Sequence, residues 1–212
     1  MASLSPKPTS SAPKARCLPR LSRVLLVAVL AAAWAGGESA PAPSAAGAPA
    51  PPTEYELKAA FLHKFSVFTE WPEGTFRRRN SPFVIAVVGE DPFEDILENV
   101  LEDEEVGDHP IQLRRWEDVE DIGTCHLLFV PDTERRNLDD ILEEVEDEPV
   151  LLVGEFDDFA QDGGMINFYV ERNKVRFEIN PDEAERSDLT IDSKLLRLAR
   201  IVEDEDDREA QR

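Results

Sequence analysis

Cys125 and His126 are this chain's nearest approach to a nucleophile beside a base, a thiol next to an imidazole. Such a pair works only when the two side chains reach each other, within about 3 Å. Cys125 to Val130 is apolar and strand-like, and neighbouring strand residues point to opposite faces. Cys125 is therefore read as a small core residue. His63 and His109 have no second ligand at metal-binding spacing. Gly89-Glu90-Asp91 and Gly154-Glu155 follow apolar runs, as phosphate loops do. Neither completes a glycine-rich phosphate motif, and both put carboxylates where phosphate would sit. The runs Glu102 to Glu105 and Glu143 to Glu148 read as solvated charge. No catalytic, cofactor-binding or metal-ligating residue is expected. An envelope hydrolase is the weakest alternative, and it would need Cys125 in an open cleft beside His63 or His109.

Arg176, Glu178 and Asn180 form a different constellation. Residues two apart on a strand face the same way, so a guanidinium, a carboxylate and an amide line one row. Asn167, on the expected partner strand, is able to join it. Such a row suits a small ligand. It suits better an internal pairing in which Arg176 and Glu178 bridge the hairpin or cap the first helix, with Val175, Phe177 and Ile179 buried behind. Trp71, followed by Pro72, suits a protein interface if exposed and a core cap if buried.

Positioning that row takes a hairpin, and Met165 to Val170 and Lys174 to Ile179 supply two strands joined by Glu171-Arg172-Asn173. Upstream, Tyr55, Leu57, Ala60, Phe61, Phe65 and Phe68 fall on one side of a helix that Pro72 and Gly74 stop. Phe83 to Val88 reads as a strand, and Asp91-Pro92 as the start of a helix carrying Phe93, Ile96, Leu97, Val100 and Leu101. Ile111 to Arg114 is a half-exposed strand, Trp116 to Val119 a helical turn, and Cys125 to Val130 a buried strand. Leu138, Ile141, Leu142 and Val145 mark a helix, Val150 to Val153 a strand, and Phe156 to Ala160 a helical turn. Ile191 to Ile201 packs a last helix back on the sheet. The expected fold is α/β: a mostly parallel sheet with helices on both faces and an antiparallel hairpin at one edge.

Residues 1–35 have the shape of a signal peptide, with Lys7, Lys14, Arg16, Arg20 and Arg23 ahead of an apolar stretch from Val24 to Ala33. Ala33-Trp34-Ala35 offers small residues for cleavage after Ala35. Residues 36–53 read as a disordered Ala/Pro-rich leader, 54–202 as one domain, and 203–212 as an acidic tail. After cleavage no membrane insertion is expected, and Cys125 is the sole cysteine, without a disulfide partner.

The chain holds 23 basic and 45 acidic side chains, but residues 1–53 take five of the former and one of the latter. The remainder carries 18 against 44, a net charge of −26. Such a surface repels nucleic acid. Lysine is scarce after Thr53, at Lys58, Lys64, Lys174 and Lys194. We read this as adaptation to high salt, which screens self-repulsion. Unfolding midpoints are then expected to rise between dilute buffer and molar salt, and a flat response would remove the idea.

Two blocks carry a family resemblance. Tyr55 to Phe65 (YELKAAFLHKF) is followed by Glu70-Trp71-Pro72, and Gly163-Gly164-Met165-Ile166-Asn167-Phe168 leads to Val175-Arg176-Phe177-Glu178-Ile179-Asn180. With Leu189 to Leu196 (LTIDSKLL) they resemble the YfiR-like family of exported regulators, over roughly Tyr55 to Val202. The resemblance implies a periplasmic, non-catalytic protein, since its best-known members restrain a membrane diguanylate cyclase and so control cyclic di-GMP. The implied partner is the extracytoplasmic domain of such a cyclase or of a histidine kinase, and a homodimer is implied as well. Members with disulfides have cysteines that Gly154 to Gly164 lacks, so redox-linked control is not carried over. The alternative is a periplasmic small-ligand-binding protein using the Arg176/Glu178 row, with no cofactor in either case.

Overall fold

The computed structural model describes residues 51–76, 78, 80–146 and 148–202, all within one compact unit, Pro49–Arg212. The expected signal peptide (1–35), most of the leader (36–53) and the tail (203–212) lie outside the described residues. Helix α1 (Glu54–Val67) starts where Thr53 and Glu56 exchange hydrogen bonds: the Glu56 N–H donates to Thr53 Oγ1 at 3.3 Å, and the Thr53 N–H donates to Glu56 Oε2 at 2.6 Å. That reciprocal cap satisfies donors the first turn leaves free and contributes about 1 kcal/mol.

Strands β1 (Thr69–Glu70), β2 (Phe83–Val88), β3 (Glu105–Val106), β4 (His109–Trp116), β5 (Leu127–Val130), β6 (Leu151–Gly154), β7 (Ile166–Glu171), β8 (Lys174–Ile179), β9 (Thr190–Ile191) and β10 (Arg200–Ile201) alternate with α2 (Ile96–Leu101), α3 (Leu138–Val145), α4 (Pro181–Arg186) and α5 (Ser193–Leu196). Eight strands form the main sheet in the order β10-β8-β7-β6-β5-β2-β4-β3, and β1 pairs with β9 in a separate antiparallel ribbon. From β4 through β7 the main-sheet pairings are parallel, while β7–β8 and β3–β4 are antiparallel. The expected α/β class, mostly parallel sheet and hairpin are all present. One strand, β10, lies outside the hairpin, parallel to β8.

Both faces of the central strands are apolar because both are covered. Phe61 and Phe65 of α1 pack on Phe168 and Phe177, and Phe93 meets Phe129 edge-on at 4.8 Å, so α1 and the turn ahead of α2 share one face. On the other face Phe159 lies against Gly154, and Leu142 of α3 against Gly163.

Several expectations need correction. The buried side of α1 is turned from the expected stripe: Ala59, Leu62 and Phe65 are buried with Lys58, His63 and Ser66, while Ala60 is exposed. The cause is that α1 inserts a lysine and a histidine that have partners inside. It ends at Val67, before Pro72, since the chain turns into β1. Trp116 closes β4, and the helical turn is Val119–Asp121 instead. α2 begins at Ile96, because the Phe93 N–H is taken by Asp91 Oδ1 at 2.8 Å in a turn ahead of the helix. The hairpin loop is two residues, Arg172 and Asn173, both left-handed (φ 51° and 61°), as a tight hairpin of this twist requires.

Candidate functional site

The parallel strands run outward in both directions from β2 and β5: the chain goes from β2 to β4 on one side, then returns to β5, β6 and β7 on the other. In open α/β sheets ligands bind at the carboxyl ends of the strands flanking such a reversal. Here that crevice is filled from within. Glu134 lies so close over Gly89, just past β2, that a Cβ there would collide with its carboxylate. Asn137 Nδ2 holds Glu134 by donating to Oε2 at 2.7 Å. Beyond β6, Glu155 accepts from Lys58 Nζ at 2.7 Å, and Lys58 also reaches Glu54 Oε1 at 2.6 Å. The ammonium lies over the Tyr55 ring, 4.6 Å from its centroid.

This cluster is almost dry, with the Lys58 and Glu155 side chains 5% and 8% exposed. Burial pulls the Lys58 ammonium down, but the hydrogen bonds to Glu155 and Glu54 outweigh it, so its pKa is raised and it stays charged. Burial likewise raises Glu155, against the pull of Lys58, and raises Tyr55 with help from Glu155. A lysine held protonated is a clamp and not a nucleophile. It ties the start of α1 to the end of β6. Sequence reasoning missed it, since nothing in a lysine one turn into a helix says that it is buried.

The hairpin row is placed as its alternation requires, but its members part company. Glu178 is 2% exposed and accepts from Asn167 Nδ2 at 3.0 Å, from Arg200 Nε at 2.8 Å and from a second nitrogen of Arg200. Arg176 is exposed beside Tyr169 in the register and pairs neither with Glu178 nor with α1, so the expected internal bridge is made by Arg200. Arg200 reaches Glu178 because β10 lies beside it, a contact 22 residues distant in sequence. Asn180 leaves the row altogether: its Oδ1 accepts the Glu183 N–H at 3.2 Å, capping α4, and its Nδ2 donates to the Ala160 carbonyl at 2.9 Å. Arg176 is the one member of the row presented to solvent.

Trp71 packs edge-on against Phe83, 4.9 Å between centroids, and its indole N–H is buried without an acceptor among the described residues. It seals the amino end of β2. Beside it His109, Phe76 and His126 stack in sequence, 3.8 and 4.9 Å apart, and His126 continues onto Phe83 at 5.0 Å. The Val84 N–H donates to His126 Nδ1 at 3.0 Å, which fixes a neutral ring. Burial, with the nearby His109, lowers the His126 pKa to about 4. The unfolded ring titrates near the usual ~6.5, so the unfolded chain binds more protons between these values. Stability conferred by neutral His126 is thus present above pH ~6.5 and is lost as pH falls toward 4. Urea midpoints measured from pH 7.5 to 4.5 should fall for the native chain and fall less for His126→Gln; parallel slopes would show that other groups drive the loss.

Cys125 is 5% exposed, and burial, aided by Glu148, pushes its thiol up to about 12. A thiol held neutral is a poor nucleophile. His126 faces the aromatic stack instead of the sulfur. His63 Nε2 lies 3.1 Å from the Glu105 carbonyl and Nδ1 3.4 Å from Glu104, while His109 Nδ1 lies 2.7 Å from the Ser81 carbonyl. Among the described residues no helix is long and apolar enough to cross a membrane.

Residues 55–200 match the model of the YfiR/HmsC-like family, and the chain belongs to that family. A comparison with curated proteins finds no match.

Proposed function

We propose that the protein is an exported regulator that docks on the extracytoplasmic sensor domain of a membrane diguanylate cyclase and holds the cyclase inactive. Membership of the YfiR/HmsC-like family over residues 55–200 carries this reading. The architecture supports it. The crevice where an α/β sheet would receive a substrate or nucleotide is occupied by Glu134 and by the Lys58–Glu155 clamp, and the Cys125 thiol is buried and held neutral. On this reading residues 1–35 direct export, residues 36–53 and 203–212 are appendages, and the domain works in the periplasm through its surface. A change in the regulator, or its capture by another envelope protein, releases the cyclase.

The test is a capture experiment with the chain against membranes of its own organism at high salt, followed by binding to the isolated sensor domain of what is recovered. Recovery of a cyclase whose product formation falls when the protein is added supports the reading. Recovery of a histidine kinase keeps a regulator but changes the pathway. Failure to bind any membrane sensor domain, together with a metabolite-induced thermal shift lost in Arg176→Ala, would replace it with ligand binding at the hairpin.

A further inference from the structure

β8 is paired along its whole length with β7, but on its outer side β10 meets it only at Glu178 and Ile179. Parity shows what is left open. The Val202 N–H donates to the Ile179 carbonyl at 2.8 Å, so Ile179 turns its peptide groups outward, and alternation turns those of Phe177 and Val175 the same way; the Arg200–Glu178 bridge takes the Phe177 carbonyl and leaves its N–H and both Val175 groups open. Among the described residues no strand lies beside β8 at Lys174 to Phe177. An edge of this kind is a template for another strand.

Its charge is the reverse of the molecule's. The chain beyond residue 53 carries −26, yet Arg172, Lys174, Arg176 and Arg197 are exposed on or beside this edge. Among the described residues none of the four forms an ion pair. The nearby carboxylates do not cancel them: Glu178 is engaged by Arg200 and Asn167, and Glu171 stands across from Lys174 in the register without bridging to it. Two large apolar side chains flank the edge, Leu198 and Ile201, at 69% and 44% exposure. Two copies of the chain pairing antiparallel through β8 would set Lys174 and Arg176 against their own kind, which destabilises a ladder. An incoming strand with Asp or Glu at alternate positions would meet opposite charge at each of these places.

We propose that the open edge of β8 takes up an extended acidic segment of a partner protein as an added strand. The Val175 N–H and carbonyl and the Phe177 N–H supply the ladder, Lys174 and Arg176 select the charge, and Leu198 and Ile201 shield the contact. This rests on the regulator reading given above and names the surface that such a regulator would use.

The probe is a labelled dodecapeptide alternating Glu with Val, added to the full chain and followed by fluorescence anisotropy. Three comparators accompany it: a Lys-for-Glu peptide, an acidic peptide with consecutive N-methyl groups at its centre, which removes donors from both edges, and a chain ending at Val202. The acidic peptide is expected to bind and the lysine peptide not to. K174E/R176E should weaken binding by about tenfold or more, whereas R114E/R136E, the same change of charge at remote exposed sites, should weaken it far less. Thermal unfolding of both double variants checks that they fold. Equal losses in the two variants, or full binding of the N-methylated peptide, would overturn the proposal. So would much tighter binding to the chain ending at Val202, which would make its own acidic tail the occupant, or a dimer seen by sedimentation that K174E/R176E dissolves. A sensor domain that binds the native chain and K174E/R176E equally would remove the edge but leave the regulator. Peptide binding without any sensor-domain binding would do the reverse.

Discussion

Lys58→Met should lower the unfolding free energy by about 3–5 kcal/mol, measured by urea denaturation at pH 8. The figure follows from what is left behind. Glu155 is 8% exposed on its side chain, and its cation is Lys58 at 2.7 Å. A hydrophobic residue in place of the lysine strands that carboxylate, and the penalty of an uncompensated buried charge exceeds the value of the pair itself. Two further results identify the mechanism. Removing both charges, Lys58→Met with Glu155→Leu, should restore much of the loss, because the coupling between the sites is then absent. The loss should also shrink in acid. Burial already raises the Glu155 pKa with Lys58 present, and without it the rise is larger. A carboxyl with a raised folded pKa favours the native state below its unfolded pKa, and this contribution is lost as pH rises through the folded value. Lys58→Met should thus be milder at pH 4 than at pH 8. A loss independent of pH and unrelieved in the double variant would mean that Lys58 matters only for packing.

The same residue shows how far the sequence could be read. β2 and β6 were legible because a covered parallel strand is a continuous apolar run bounded by Gly or Pro, and Phe83 to Val88 matches its expected span to the residue. The hairpin was legible from its turn. α1 was legible as a helix, but its orientation was not, since Lys58 and His63 are buried with partners that lie about 100 and 40 residues onward in the chain. The expected pairing of Arg176 with Glu178 was misread for a similar reason. Alternation places Arg176, Glu178 and Asn180 on one face, but Arg200 comes from a two-residue strand with no pattern of its own, and it takes Glu178 from Arg176. For α4 a signal was present: Asn180 followed by Pro181 is a cap and a first-turn proline. Reading Asn180 as the end of a ligand row hid it. What remained illegible is long-range pairing of polar groups, which periodicity does not record.

Phe159→Ala is expected to cost about 3–5 kcal/mol, at the upper end for a phenylalanine, because the space it vacates cannot close. Its ring is fully buried and lies between two glycines. A Cβ built on Gly154 would stand 2.6 Å from the ring, and one on Gly164 would lie deeper still within its envelope. Neither glycine has a left-handed backbone, so what they provide is room. Both are backbone walls of the cavity: Gly154 is the last residue of β6, and the Gly164 N–H donates to the Phe159 carbonyl at 2.8 Å. Walls without side chains have nothing to swing into a void. Gly164→Ala should in turn destabilise by about 1–3 kcal/mol through overpacking. The decisive measurement is the pair. If the ring is the reason for the glycine, Gly164→Ala adds little cost, or restores stability, in a chain already carrying Phe159→Ala, and the double variant loses less than the sum. Additive losses would show that Gly164 is needed for its backbone alone. The Gly163-Gly164 pair then has two physical explanations, residue by residue: Gly163 for its φ of 107° beside Leu142, Gly164 for the ring it lets in. That ring packs edge-on against Phe156, 5.0 Å away, just past the Glu155 that Lys58 clamps. The turn after β6 is thus fixed twice, by charge on one side of the sheet and by an aromatic ring on the other.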